Sequence, residues 1–117
     1  MKDEKDNLIV KLSLEFALEI VAFSELLEEN KKFVIARQLL KSGTSIGANI
    51  REAQNAESKI DFIHKMKIAA KEAEETEYWI TLCELSKGYP SNKGLREKLK
   101  SIMNILSKII ITTKSSH

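Results

Sequence analysis

The stretch from Gln38 to Ala53, Gln-Leu-Leu-Lys-Ser-Gly-Thr-Ser-Ile-Gly-Ala-Asn-Ile-Arg-Glu-Ala, constrains the fold more than any other part of the chain. By propensity it is a poor helix. Gly43, Thr44, Ser45, Gly47 and Asn49 all disfavour one, and each glycine costs roughly 1 kcal/mol against alanine. The pattern is nevertheless helical, because Leu39, Gly43, Ile46, Ile50 and Ala53 recur at alternating steps of four and three residues. A chain that accepts weak helix formers here gains close packing in exchange. Gly43 and Gly47 lie one turn apart and would let a neighbouring backbone approach. The reading is a central helix, tightly packed by at least one partner.

The rest of the chain suits such a bundle. Only one proline and four glycines interrupt 117 residues, so long helices are expected. Four are predicted, at about 7–29, 33–55, 58–87 and 92–113, in a single domain. Asp6 or Asn7 is expected to cap the first, with Leu12, Phe16, Ile20, Phe23 and Leu27 as its apolar stripe. Ala36, Leu40 and Gly47 are expected to widen the apolar face of the second. Ser58-Lys59-Ile60-Asp61 reads as a capping box for the third, with aspartate in the usual glutamate place. A strict heptad follows: Phe62, Met66, Ala69, Ala73, Thr76, Ile80, Cys83. Gly88 and Pro90 should end that helix, and Ser91 or Asn92 should cap the fourth, whose seam is Leu95, Leu99, Ile102, Leu106, Ile109 and Thr113. Short connections give an all-α, antiparallel up-down-up-down four-helix bundle.

Two further stripes on the second helix bear on function. Gln38, Ser42, Ser45, Asn49 and Glu52 form a polar stripe bordering the apolar face. Together with Gly43 and Gly47, and with Tyr78 and Trp79 lying off the third helix's heptad, they are the candidate helix-packing or subunit seam. A half-exposed flank is the plainer alternative. Arg37, Lys41 and Arg51 form a basic stripe, and Lys93, Arg96 and Lys100 form another on the fourth helix. These six are the candidate nucleic-acid contacts. Residues 1–30 carry three Lys/Arg against eight Asp/Glu, and residues 88–117 carry six against one, so the first helix is acidic and the last basic. Steering of helix packing and subunit assembly explains that asymmetry as well as a phosphate-binding surface does.

At Gln38-Leu39-Leu40, Ser42 to Ile50 and Glu52-Ala53 the chain resembles the four-helix bundle family of 23S rRNA intervening-sequence proteins. The resemblance continues through Ser58-Lys59, Asp61-Phe62, Lys65, Ala69, Lys71-Glu72-Ala73, Glu75-Thr76 and Tyr78-Trp79. It implies an antiparallel bundle assembled as a ring-shaped homopentamer. A related branch, the accessory proteins of diversity-generating retroelements, binds nucleic acid and a reverse transcriptase through basic surfaces.

Catalytic constellations are scarce. Gly43-Thr44-Ser45-Ile46-Gly47 lacks the lysine and strand context of a phosphate loop. Asp61 and His64 share a helical face, but a capping acid beside an ordinary histidine explains them. No Glu-x-x-His motif of a di-metal bundle occurs. Cys83 falls on the heptad as a buried thiol. Glu52, Glu72 and Glu75 are the acids that a weak enzymatic alternative would use. No cofactor or metal is expected. Residues 1–10 do not read as a signal peptide, and no apolar run reaches membrane-span length. With a single cysteine, the expected compartment is the cytoplasm. The expectation is a non-enzymatic, self-assembling helical protein. The alternative is a nucleic-acid-binding accessory protein of RNA or retroelement metabolism.

Overall fold

The structure is a computed structural model and describes residues 4–116. It is all-α, with four helices and no strand among the described residues: α1 (Glu4–Glu29), α2 (Phe33–Ala53), α3 (Lys59–Leu85) and α4 (Lys93–Ser115). α1 packs on α2 and α4, α2 on α3, and α3 on α4, while the two diagonal pairs do not meet. Four helices therefore surround one core, in a body 51 Å long and 20 by 19 Å across.

The helix ends show why the chain breaks where it does. α1 begins at Glu4, so Asp6 and Asn7, expected as caps, already lie inside it. Its other end closes with the Lys31 and Lys32 N–H groups donating to the carbonyls of Glu28 and Leu27, each at 2.8 Å. That pair of bonds requires a left-handed residue, and Lys31 supplies it with φ 64°. α2 stops at Ala53, two residues before the expected end. Ser58 caps α3 by accepting from Asp61 N at 3.0 Å, and the Asp61 carboxylate accepts in turn from Glu57 N at 3.2 Å. Gly88 adopts φ +83° in the loop after α3, a conformation that glycine takes without penalty. Asn92 caps α4 by accepting from Gly94 N at 3.0 Å.

The core follows the heptad and four-three patterns closely. Phe16, Ile20 and Leu27 from α1, Leu39, Ile46 and Ile50 from α2, Met66 and Ala69 from α3, and Leu95, Leu99 and Ile102 from α4 are all fully or almost fully buried. Three apolar assignments shift. Leu12 and Phe62 are only partly buried: the buried face of α1 continues from Phe16 through Ser13 to Ile9, and that of α3 begins at Met66. Leu40 does not widen the buried face of α2; it is exposed, lying about 100° round the helix from the stripe centred on Leu39, Ile46 and Ile50.

Candidate functional site

The unusual composition of α2 is explained by what it touches. A Cβ built on Gly43 would sit 2.8 Å from both γ-carbons of Ile20, and one built on Gly47 would sit 3.3 Å from the carbonyl oxygen of Ser13. Both glycines face α1. The expected close approach is therefore present, and its partner is the helix just before.

The polar stripe divides between uses. Ser42 is fully buried against α3, where its hydroxyl lies 2.9 Å from that of Thr76. Thr76 Oγ1 is also 2.7 Å from the Glu72 carbonyl. A hydroxyl has one proton and a carbonyl can only accept, so Thr76 donates to Glu72 and Ser42 donates to Thr76. Glu52, at the far end of the stripe, meets Lys65 of α3 at 3.2 Å. Ser45 and Asn49 bond back to their own helix, at the carbonyls of Lys41 and Ser45, and Gln38 is exposed. Within one chain, then, Ser42 and Glu52 form the seam with α3, while the remaining polar groups are left on the outer face.

Tyr78 stands outside the core, while Trp79 is half-buried and packs against the core's edge. Tyr78 is 58% exposed and meets Trp79 edge to face, with centroids 5.3 Å apart. The Trp79 indole N–H donates to Glu75 Oε2 at 3.1 Å.

The six candidate phosphate contacts do not form one set. Arg96 is engaged within the chain. Its Nε and Nη2 straddle the Glu84 carboxylate at 2.9–3.1 Å, Nη2 donates to Thr81 Oγ1 at 2.6 Å, and Nη1 lies 3.5 Å from Glu77. The Glu84 hydrogen bond holds the guanidinium pKa above its ordinary value. Lys41 lies near enough to Glu72 to pull that carboxyl's pKa back down. Arg37, Lys41, Arg51, Lys93 and Lys100 are exposed and form no ion pair among the described residues. Sequence spacing did not reveal that Lys98 of α4 pairs with Glu19 of α1, a link across a contact between two chain ends.

The acids and the thiol offer little chemistry. Burial, and then Glu75, raise the Glu72 pKa. Glu52 and Glu75 are occupied by Lys65 and Trp79. Cys83 is buried, and desolvation pushes its thiol up to about 11, so almost no thiolate forms near neutrality. Among the described residues no three His, Cys, Asp or Glu side chains come together as a metal site. None of the helices is long and apolar enough to cross a membrane.

Two features escaped the sequence reading. Leu14, Leu18 and Val21, at 54%, 64% and 40% exposure, make a second apolar stripe on α1. Beside it an open groove runs between α1 and α2, lined by Val10, Leu14 and Ala17 on one side and Gly47 and Ala48 on the other. The signal for the stripe was available as a four-three repeat out of phase with the core. The groove was not readable, since it depends on the register between two helices.

These features define a class: an all-α four-helix bundle whose most distinctive residues serve helix packing and carry an apolar outer face. The family follows from comparison with known proteins. The model of the 23S rRNA-intervening sequence protein family matches residues 5–111, and the chain belongs to that family. A solved relative is a protein of unknown function from the S23 ribosomal protein family of Bacteroides thetaiotaomicron. It is 47% identical, the match covers 95% of this chain and 96% of that one, and the TM-score is 0.69. A search of curated proteins gave no significant match.

Proposed function

We propose that this chain is a non-enzymatic, self-assembling bundle of antiparallel, up-down-up-down helices that works in the cytoplasm as a ring-shaped homopentamer. The observation that carries self-assembly is the exposed stripe Leu14–Leu18–Val21 beside the apolar groove between α1 and α2. Contiguous exposed apolar surface of this kind marks an interaction site. Scattered surface leucines would not, but these three share one helical face. The pentameric number comes from resemblance to the family alone. The antiparallel order is supported by the short connections between helices, of three residues between α1 and α2 and five between α2 and α3.

Light scattering after gel filtration tests this reading. The expected particle is a multiple of the 13.3 kDa chain. A particle of single-chain mass at micromolar concentration and physiological salt would overturn it.

A second reading, nucleic-acid binding, is favoured by one observation: Arg37, Lys41, Arg51, Lys93 and Lys100 are exposed cations that form no ion pair among the described residues. Such side chains, without stacked aromatics between them, would contact phosphates and read little sequence. Repetition around a ring would add avidity to a weak contact per subunit. Titration of labelled RNA and DNA at several salt concentrations, with wild type and a Lys93→Glu/Lys100→Glu variant, tests it. Binding should fall steeply with salt. Equal binding by the assembled variant would reject this surface.

A further inference from the structure

Two surfaces of this chain complement each other in shape and charge. The groove between α1 and α2 has a volume of about 190 Å³ and an apolar floor, with Arg51 at its rim. It is open because its walls are small: Ala17 on α1, and Gly47 and Ala48 on α2. A closed apolar cavity of roughly 150 Å³ takes a benzene ring, so the groove has room for one aromatic side chain.

The exposed aromatic side chain, Tyr78, stands elsewhere on the chain, next to the half-buried Trp79. Trp79 follows Glu72 and Thr76 by seven and three residues; Thr76 meets Ser42 of α2, and Glu72 lies within electrostatic reach of Lys41. Trp79 therefore lies on the flank of α3 nearest α2, with Tyr78 beside it and turned further outward. The edge-to-face contact and the hydrogen bond to Glu75 hold the pair in place. Little side-chain freedom is left to lose on binding.

We infer that Tyr78, with Trp79 at its edge, seats in the α1–α2 groove of a second copy of this chain. The inference rests on the self-assembly reading above and names its contact. Charge favours the pairing. Glu75 accompanies the aromatic pair, Arg51 borders the groove, and neither has an ion-pair partner within the chain among the described residues. The contact is heterologous, since a patch meets a different patch. Each copy keeps one free groove and one free aromatic pair until the set closes. The groove lies between α1 and α2, and the aromatic pair lies on α3, which packs on α2. A heterologous contact closes into a ring when the rotation from copy to copy closes, and runs on as a filament when it does not. Arg51 is then drawn into assembly, which leaves Arg37, Lys41, Lys93 and Lys100 of the candidate phosphate contacts exposed.

The test uses the full chain with two exposed substitutions, Ala48→Glu in the groove and Tyr78→Ala on α3. Particle mass is read by light scattering and helicity by circular dichroism. The expected result is an oligomeric wild type and two helical variants whose mass falls to that of one chain. A monomeric wild type would overturn the assembly reading and this contact with it. An oligomeric wild type with both variants equally oligomeric would overturn this contact and leave assembly standing. A cross-link keeps the test decisive should either variant fold poorly. Ala48→Cys and Tyr78→Cys are prepared separately, mixed, dissociated and reassembled, then oxidised. Disulfide-linked dimers should form only in the mixture. Dimers from either variant alone, or none in a mixture that reassembles, would overturn the contact.

Discussion

Gly43→Ala is the sharpest probe of the α1–α2 approach, because two known effects oppose each other there. Replacing a helical glycine by alanine favours the helix by roughly 1 kcal/mol. The added Cβ, however, would lie 2.8 Å from Cγ1 and Cγ2 of Ile20 and 3.1 Å from its Cδ1. Carbon atoms prefer about 3.5–4.0 Å, so the overlap is roughly 0.7 Å at two atoms at once. Ile20 is fully buried and cannot swing into solvent. Overpacking of this kind costs about 1–3 kcal/mol, so the net expectation is a loss of about 1 kcal/mol. The assay is the urea midpoint at one fixed protein concentration, since self-association shifts the midpoint with concentration. The control is the same substitution in an Ile20→Ala background. There the obstruction is gone and Gly43→Ala should stabilise, giving a coupling of roughly 1–3 kcal/mol between the two sites. Gly47→Ala should be close to neutral, because its Cβ meets Ser13 only at 3.3 Å and the helix gain offsets the tightness. A higher midpoint for Gly43→Ala in the wild-type background would refute the close approach.

Other outcomes follow from single contacts. Thr76→Val removes the partner of the buried Ser42 hydroxyl and should cost about 1–3 kcal/mol by denaturant titration; an unchanged midpoint would mean that Ser42 finds another partner. Lys31→Gly should stabilise by roughly 1 kcal/mol, because the left-handed backbone at that position penalises a side chain; a lower midpoint would contradict this account of the α1 end. Cys83 should resist alkylation at neutral pH in the folded protein and react on unfolding, since burial raises its thiol to about 11; rapid labelling of the native chain would show that the site is open. The Glu72 carboxyl is raised in the folded state, first by burial and then by Glu75, so the folded chain holds its proton more tightly than the unfolded chain does. Its contribution is therefore present below the ordinary value of 4.5 and lost as pH rises from there through the folded value. Glu72→Gln should remove that decline, and parallel midpoint-against-pH curves for variant and wild type would refute it.

The fold was legible because its signals are local and periodic. The heptad from Met66 to Cys83 and the seam from Leu95 to Ile109 became buried faces with little change. Caps at Ser58 and Asn92 were readable for the same reason, since a cap is a contact across two or three residues. The start of α1 was not. Asp6 and Asn7 are good caps, yet the helix runs through them to Glu4. Leu40 was misassigned because a four-three repeat has a width as well as a direction, and the sequence alone does not say how much of that width the neighbours cover.

Function was less legible because it depends on which helix a residue faces, and periodicity gives only the face within one helix. Arg96, Lys100 and Lys93 share a stripe, but Arg96 reaches across to Glu84, Thr81 and Glu77 of α3 and is no longer free for phosphate. Ser42 and Ser45 share another; one is buried against Thr76 and the other bonds its own backbone. The groove is the strongest example. Its α2 wall is Gly47 and Ala48, and Gly47 was read in the sequence as a place where a helix comes close. That reading is correct for position 47, which touches Ser13. The same absence of side chains also leaves an opening one step outward, where the surfaces of α1 and α2 diverge. Small residues thus act twice, bringing two helices of one chain together and leaving open space beside the contact. No pattern within a single helix separates those two effects, because both follow from the same missing atoms. They separate only once the register between α1 and α2 is known.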